Sequence, residues 1–262
     1  MENASRAATE GRHTESQVRY YLSYFRSLVF TNPLIYFYTA FCGTLSLIGS
    51  LLDGRGRWQH FCARMWSWMI LKTSGIRVRV EGLENVDPNR TVVYCSNHAS
   101  AMDIPILFVY LPLQFRFLAK RSLFHLPFLG WHLRRSGHVS VDRMRPHEAM
   151  KGFDRAAQKI REGRSVITFP EGTRSRGGDL LPFKAGSFYL AILAQAPIVP
   201  ITLNGTREVL VPDTYHVRAG QTEMIIHPPI PTAGLTVDDA QSLSNRVREQ
   251  IKSRWRSTAI KG

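Results

Sequence analysis

The sequence predicts an α/β domain in which helices cover a sheet, preceded by two apolar helices at a membrane. Two observations support this prediction. From residue 76 onward, short apolar runs typical of strands alternate with helical patterns. Before them, residues 28–52 contain no charged side chain. A chain of 262 residues has room for one such domain and an appendage.

The charge balance indicates the kind of partner rather than the fold. Lys and Arg number 34 against 20 Asp and Glu, which gives a formal net charge of +14. Such an excess favours nucleic acid, an anionic membrane surface or phosphorylated substrates. Cys42, Cys62 and Cys95 have no close spacing, so they predict neither a disulfide framework nor a zinc site. A reducing compartment is the simpler interpretation.

The amino-terminal region is predicted to face a membrane. Residues 1–18 are polar and are expected to be disordered. As a helix, residues 28–52 would extend about 37 Å, more than the roughly 30 Å of a bilayer core. An aromatic-rich segment at residues 58–75 follows, with tryptophans typical of the headgroup boundary. Residues 19–74 therefore predict a helical hairpin in one leaflet, or one span plus an interfacial helix. A pair of core helices is the alternative.

The remaining chain, residues 75–262, is predicted to alternate strands and helices. Strands are predicted at residues 76–82, 91–95, 115–119, 138–141, 165–169, 198–203 and 223–226. Helices are predicted at residues 106–110, 147–161, 185–195 and 238–255. Pro200 interrupts a strand pattern, which predicts an edge strand or a bulge.

A polar stretch, YCSNHASAMDIP, follows the second predicted strand. Pro105 cannot sit deep in a helix, so the next helix must begin near Asp103, and His98 lies in the turn before it. From there Asp103 can accept from one imidazole nitrogen while the other takes a proton from a hydroxyl. Two alternatives stay open: Cys95 as a nucleophile beside His98, and an ordinary capped loop.

A second polar stretch, FPEGTRSRGG, follows the fifth predicted strand. Gly172 lets a ligand approach the backbone closely. Glu171, Thr173 and Arg174 then crowd a loop at the carboxyl end of a strand, where ligands bind in open α/β sheets. The guanidinium of Arg174 offers a planar set of donors suited to phosphate. A solvated loop is the alternative.

Three isolated basic residues follow apolar or strand-like runs, namely Lys120, Arg143 and Lys184. Each alone is typical of a solvated charge, but together they can surround an anionic pocket. The histidines at positions 125, 132, 138 and 147 show no metal-ligand spacing, so no metal is expected.

The two polar stretches resemble the motifs of the glycerolipid acyltransferases, specifically the 1-acylglycerol-3-phosphate acyltransferases. The family's NHxxxxD motif matches residues 97–103 and its FPEGTRS motif matches residues 169–175. Two further motifs match residues 137–143 and 198–201, although Ser140 stands where the family often has an aromatic residue. The resemblance covers roughly residues 75–230, and the amino-terminal segment resembles the family's membrane-seated helical pair.

The resemblance implies a mixed sheet flanked by helices and an enzyme of phospholipid biosynthesis. That enzyme transfers a fatty acyl group from acyl-CoA or acyl carrier protein to the sn-2 hydroxyl of 1-acyl-sn-glycerol 3-phosphate, giving phosphatidic acid. The implied catalytic residues are His98 and Asp103. The candidate substrate-binding residues are Glu171, Gly172, Thr173, Arg174, Arg143 and Lys120. No cofactor is implied besides the acyl donor, which is a substrate.

Other functions stay open beside this one. The acceptor can instead be another lysophospholipid, a lyso-ornithine lipid or glycerol 3-phosphate. A non-enzymatic membrane protein that binds anionic lipid would also explain the charge, but it gives no reason for two polar motifs at strand ends. The expected partners are the lysophospholipid, the acyl donor and membrane lipid, and no nucleic acid. The expected location is the cytoplasmic face of the cell membrane, in monotopic or single-span form.

Overall fold

A computed structural model describes residues 17–142 and 145–257. Of the segment predicted to be disordered, residues 1–16 lie outside the described residues, whereas Gln17 and Val18 belong to the first helix. The helices of the described residues are α1 (Gln17–Gly49), α2 (Arg57–Ser74), α3 (Asp103–Tyr110), α4 (Leu129–Arg135), α5 (Pro146–Arg161), α6 (Gly186–Ala194), α7 (Thr206–Val209) and α8 (Ala240–Arg254).

All seven predicted strands are present. They are β1 (Ile76–Glu81), β2 (Val93–Ser96), β3 (Phe115–Lys120), β4 (Val139–Val141), β5 (Ser165–Thr168), β6 (Ile198–Asn204) and β7 (Gly220–Ile226). They form one sheet in the order β1-β7-β6-β2-β5-β3-β4. The β6–β7 pairing is antiparallel and the other pairings are parallel, so the sheet is mixed. Because β2 and β5 are parallel neighbours, their carboxyl ends meet at one edge of the sheet.

Apolar side chains are buried on both faces of this sheet. Successive residues of β2 point to opposite faces, so Tyr94 joins one buried cluster while Val93 and Cys95 join the other. The first cluster includes α2 and α3, and the second includes α5, α6 and α8. Strands covered on both faces appear in sequence as continuous apolar runs, which is why the central strands could be predicted.

Pro200 lies inside the sheet, so the prediction of an edge strand is wrong, whereas the prediction of a bulge is confirmed. β6 pairs with β2 on one side and with β7 on the other. Ile201 is opposite Ile226, but Ile198 is opposite Ile230, so three residues along β6 correspond to four along the partner segment. This one-residue bulge accommodates a residue that has no N–H to donate.

The two amino-terminal helices form a hairpin. The Tyr38 hydroxyl lies 3.0 Å from the Thr73 hydroxyl, and the Trp66 indole donates to Thr39 Oγ1 at 3.0 Å. The inner face of α2 is buried in the core through Ile70 and Leu71. The outer surface of the hairpin is apolar and exposed.

The first helix, α1, is long and apolar enough to cross a membrane by length and composition. Its residues Ser27–Thr31 form a π-helical turn immediately before Pro33, whose ring removes an N–H and crowds the preceding turn. Large apolar side chains stay exposed along it, among them Phe25, Phe37 and Phe41. An exposed apolar surface of this size fits association with a membrane.

Candidate active site

His98 and Asp103 meet at the carboxyl end of β2. Asp103 is the first residue of α3 and His98 lies in the turn before it, as Pro105 predicts. The His98 Nδ1 atom lies 2.7 Å from Asp103 Oδ2. The backbone amides of Ala99 and Ser100 donate to the same carboxylate oxygen, both at 2.9 Å. Three donors therefore fix the carboxylate, and the imidazole presents Nε2 away from it.

His98 and Asp103 are largely shielded from solvent. The Asp103 side chain is 0% exposed and the His98 side chain is 18% exposed. The imidazole stacks on the Phe169 ring, with centroids 4.1 Å apart and planes 19° from parallel. Because Asp103 Oδ2 is an acceptor, Nδ1 carries the proton and Nε2 has the lone pair of the neutral ring.

Asn97 ties β2 to β6 just below the histidine. Its side-chain amide donates to the Leu203 carbonyl oxygen at 2.9 Å, and its amide oxygen accepts from Leu203 N at 2.8 Å. The side chain is buried and replaces backbone pairing where β2 ends. The asparagine of the NHxxxxD stretch is therefore a positioning residue for His98.

Glu171 joins the two polar stretches. One carboxylate oxygen accepts from the His98 amide at 2.7 Å and the other accepts from the Leu181 amide at 3.0 Å. The side chain is buried, and this burial raises its pKa to about 7 although both amide bonds lower it. Since a backbone amide donates to each oxygen, Glu171 orders the two loops, and direct binding of substrate by Glu171 stays a prediction.

Gly172 contributes backbone conformation. Its φ is +75°, and its N–H donates to the Phe169 carbonyl oxygen at 3.0 Å, inside the turn. That donor is engaged inside the turn, and binding of phosphate at the Gly172 backbone stays a prediction. A β-carbon at this position would lie 3.2 Å from the Lys184 Nζ atom, which places that ammonium group against the loop. Thr173 is exposed beside it.

Arg174 is held by a carboxylate that the motifs do not contain. Its Nη2 atom lies 3.1 Å from Asp213 Oδ1, while Arg176 Nη2 lies 2.9 Å from Asp213 Oδ2. Asp213 adopts a positive φ of 62°, a conformation that aspartate tolerates better than most residues. A carboxylate thus binds the guanidinium donors that an anionic substrate group would need.

The remaining predicted basic residues lie further along the same edge or outside the described residues. Lys120 ends β3, which is separated from β2 by β5, and it is exposed. Arg143 lies outside the described residues. The structure therefore brings Arg174 and Lys184 to the FPEGTRS loop and leaves Lys120 at a neighbouring strand end.

Cys95 is an unsuitable nucleophile. Its side chain is fully buried in the cluster between the sheet and α6, on the face opposite Tyr94. Burial raises the pKa of the thiol far above its ordinary value, so the thiol stays protonated. The geometry therefore favours the His98–Asp103 interpretation of the first polar stretch.

Two contacts of this site were missed in the sequence. Phe169 begins the FPEGTRS stretch, but its stacking on His98 depends on the adjacency of β5 and β2. Asp213 is 39 positions from Arg174 and belongs to no recognisable pattern. Its only local signal is the preceding Pro212, which is typical of a turn.

Comparisons with known proteins agree with this geometry. A family model described as Acyltransferase matches residues 77–204. The chain is 32% identical over 240 residues to 1-acyl-sn-glycerol-3-phosphate acyltransferase alpha of Homo sapiens, covering 91% of this chain and 83% of that protein. It is 32% identical over 200 residues to the 1-acyl-sn-glycerol-3-phosphate acyltransferase of Borreliella burgdorferi, covering 76% of this chain and 78% of that protein.

A solved structure shares the fold as well. The crystal structure of the 1-acyl-sn-glycerophosphate (LPA) acyltransferase PlsC from Thermotoga maritima matches with a TM-score of 0.69 and 26% identity. The match covers 92% of this chain and 99% of that one. It thus includes the hairpin as well as the sheet. The chain belongs to the 1-acyl-sn-glycerol-3-phosphate acyltransferase family and is an acyltransferase.

Proposed function

We propose that this enzyme acylates the sn-2 hydroxyl of 1-acyl-sn-glycerol 3-phosphate, using acyl-CoA or acyl carrier protein as donor, and thereby makes phosphatidic acid. The observation that carries the proposal is the 2.7 Å contact of His98 with Asp103, beside the Arg174 loop on the neighbouring strand. One strand end supplies a base and the adjacent one supplies a cation. A hydroxyl and a phosphate on the same small acceptor match this arrangement.

The proposed mechanism needs no covalent acyl-enzyme, because a thioester is already activated. Nε2 of His98 takes the proton of the acceptor hydroxyl as its oxygen attacks the thioester carbonyl carbon. Asp103 holds the Nδ1–H and stabilises the imidazolium that forms. The tetrahedral intermediate then collapses, the carbon–sulfur bond breaks, and the leaving thiolate takes the proton from His98. General-base help of this kind contributes roughly 10²–10⁴-fold.

Arg174 is the proposed phosphate ligand, with Lys184 beside the same loop and Lys120 in support. A phosphomonoester offers more charge and more acceptor oxygens than the carboxylate of Asp213. The pair it replaces is exposed, and exposed ion pairs contribute about 0–1 kcal/mol. The substrate phosphate can therefore displace Asp213 at small cost.

We also propose that the hairpin seats the active site at the membrane interface, on the cytoplasmic face. Both substrates carry acyl chains, and exposing one CH₂ group to water costs about 0.8 kcal/mol. A site at the interface avoids most of that cost. The α4 region adds to the apolar surface, because Ser46 of α1 contacts His132 of α4 at 2.6 Å and Trp131 beside it is exposed.

An acceptor panel with free-thiol readout tests the activity. Purified full-length protein in detergent micelles receives acyl-CoA or acyl carrier protein, and one of lysophosphatidate, glycerol 3-phosphate, lysophosphatidylcholine or a lyso-ornithine lipid. Thiol release with lysophosphatidate that is lost in His98→Ala is the expected result. Release only with a phosphate-free lysolipid would contradict the role of Arg174. No release with any acceptor of the panel would contradict the proposed acceptor and donor.

Vesicle flotation tests the membrane proposal without deleting the hairpin, whose second helix is part of the core. Phe37 and Phe41 stack on each other at 6.0 Å and are both exposed. The double change Phe37→Asp and Phe41→Asp should weaken vesicle binding, whereas Leu83→Asp, at an exposed apolar side chain of the catalytic domain, should not. Equal binding by both variants would contradict the placement of the hairpin.

A further inference from the structure

A basic cavity lies at the end of the sheet opposite to His98. Its volume is about 180 Å³, and its lining includes the polar and basic residues Arg90, Thr91, Gln114, Arg116, Arg164 and Ser165. These residues stand at the amino ends of β2, β3 and β5, whereas the candidate active site stands at the carboxyl ends. A water molecule takes about 30 Å³ of liquid volume, so the cavity has room for a phosphate group.

Arg116 is the innermost of the three arginines and is 1% exposed. Its Nη1 atom donates to the Phe115 carbonyl oxygen and its Nη2 atom to the Arg55 carbonyl oxygen, both at 2.9 Å. Its Nε atom is buried and has no hydrogen-bond partner. Burial, followed by the nearby Arg164, lowers its pKa to about 10, so the group is still charged at neutral pH. A buried charge with an unpaired donor lowers the stability of the fold unless an anion pairs with it.

Arg164 brings a second positive charge to the same place. A β-carbon on Gly137 would lie 3.4 Å from Arg116 Nε and 3.6 Å from Arg164 Nη1, so these two nitrogens are at most about 7 Å apart. Arg90, an exposed residue, also lines the cavity. Across residues 17–142 and 145–257, no carboxylate forms an ion pair with any of the three.

We infer that this cavity is a binding site for a phosphate-bearing anion, separate from the active site. The unpartnered Nε of Arg116 and the guanidinium of Arg164 belong to residues that line the same cavity and lie at most about 7 Å apart, a distance that one phosphate group can bridge. Arginine commonly binds phosphate through two hydrogen bonds. Asp53 and Glu162 act on Arg116 and Arg164 only through space, so the ligand supplies the direct ion pair that these two arginines lack in the described residues.

Two sources can supply this phosphate, a soluble phosphate compound or the headgroup of an anionic lipid. The cavity adjoins the turn of the hairpin, because Arg116 donates to the carbonyl of Arg55. Leu51 and Leu52 at that turn are 76% and 94% exposed. If the hairpin lies in a membrane, a lipid headgroup can enter the cavity. The fraction of protein with an occupied cavity would then rise with the content of anionic lipid in the bilayer.

Calorimetric titration with inorganic phosphate at constant ionic strength tests the site in the full-length protein. The background is Arg174→Gln, which removes the proposed phosphate ligand of the active site. This variant should still bind phosphate, and adding Arg164→Gln should weaken that binding about tenfold or more. The matched control is Arg77→Gln, at an exposed arginine of β1, and it should change nothing. Arg116 itself is left intact, because its replacement threatens folding.

The outcomes separate cleanly. If Arg174→Gln binds no phosphate, or if Arg164→Gln binds it as well as the background does, the inferred site does not exist. A short-chain phosphatidate that competes for the site at least tenfold more tightly than phosphate identifies a lipid headgroup as the source. Equal affinity identifies soluble phosphate. Arg164→Gln alone should keep acyl transfer in phosphate-free buffer, so failure of the proposed function would not be confused with failure of this site.

Discussion

Replacing Asp103 by Asn removes the negative charge beside His98 while keeping an oxygen acceptor. The asparagine oxygen can take the place of Oδ2 and accept from the amides of Ala99 and Ser100 and from Nδ1. The NH₂ group then takes the place of Oδ1, which is buried and unpartnered. Its unsatisfied donors should reduce the free energy of unfolding by about 1–3 kcal/mol without preventing folding.

The effect on catalysis comes from the charge. Taking the charge centres about 4 Å apart, an imidazolium and a carboxylate attract by about 4 kcal/mol at an effective dielectric constant of 20. That attraction exists in the transition state, where His98 is charged, and is absent when His98 is neutral. Its loss should lower kcat about 10³-fold, since each 1.36 kcal/mol is a factor of ten. KM for the acceptor should change little.

The assay is thiol release from acyl-CoA with lysophosphatidate, together with a melting curve for each variant. Asp154→Asn is the matched control, because Asp154 is exposed on α5 and distant in sequence from both motifs. A folded Asp103→Asn enzyme whose kcat stays within tenfold of wild type would refute the assignment of Asp103 as the partner of a charged His98. An equal loss in Asp154→Asn would point to a global effect.

Three further predictions follow from the same contacts. Cys95→Ser should keep wild-type acyl transfer, because the thiol is buried and burial raises its pKa; a loss as large as that of Asp103→Asn would restore Cys95 as a nucleophile. Burial raises the pKa of Glu171 to about 7 from 4.5, so the folded state binds a proton that the unfolded state has released between these pH values. As pH rises through this window, the free energy of unfolding of the wild type should therefore fall by up to about 3 kcal/mol relative to that of Glu171→Gln. Urea unfolding at pH 5 and 8 measures this, and an equal change in the free energy of unfolding of both proteins would contradict it. Asp213→Asn frees Arg174 and should lower KM for lysophosphatidate by up to about fivefold, leaving kcat and the KM of a phosphate-free acceptor unchanged; a raised KM would show that Asp213 positions Arg174 for binding.

The fold was predictable where local sequence decides the structure, and less so where distant segments meet. The helix start at Asp103 follows from Pro105 alone, and that start sets the turn in which His98 lies. The place of Pro200 does not follow locally, because the bulge that accommodates it belongs to the segment after β7. For the same reason the partner of Arg174 was missed, since Asp213 reaches it from a loop 39 positions away.

The role of Glu171 shows why the candidate site was only half predictable. A buried carboxylate in a polar motif reads as a substrate ligand, yet its partners are two backbone amides, and one of them is 73 positions away. Sequence patterns report which side chains are polar, whereas the use of each polar atom depends on which loops fold together. Residues whose partners lie in the same turn, such as His98 and Asp103, are the ones that a pattern can pair.

The FPEGTRS stretch positions the base as well as offering a cation for phosphate. Phe169 stacks on the His98 ring, Glu171 binds the His98 amide, and the Ser175 amide donates to the His98 carbonyl oxygen at 3.0 Å. Arg174 instead contacts Asp213, and it is the residue of this motif proposed to bind the phosphate of the acceptor. Substitutions in this one motif should therefore divide kinetically: changes at Phe169 or Glu171 should act mainly on kcat through the orientation of His98, and changes at Arg174 mainly on KM. If the motif only bound phosphate, substitutions at all of its positions would act mainly on KM.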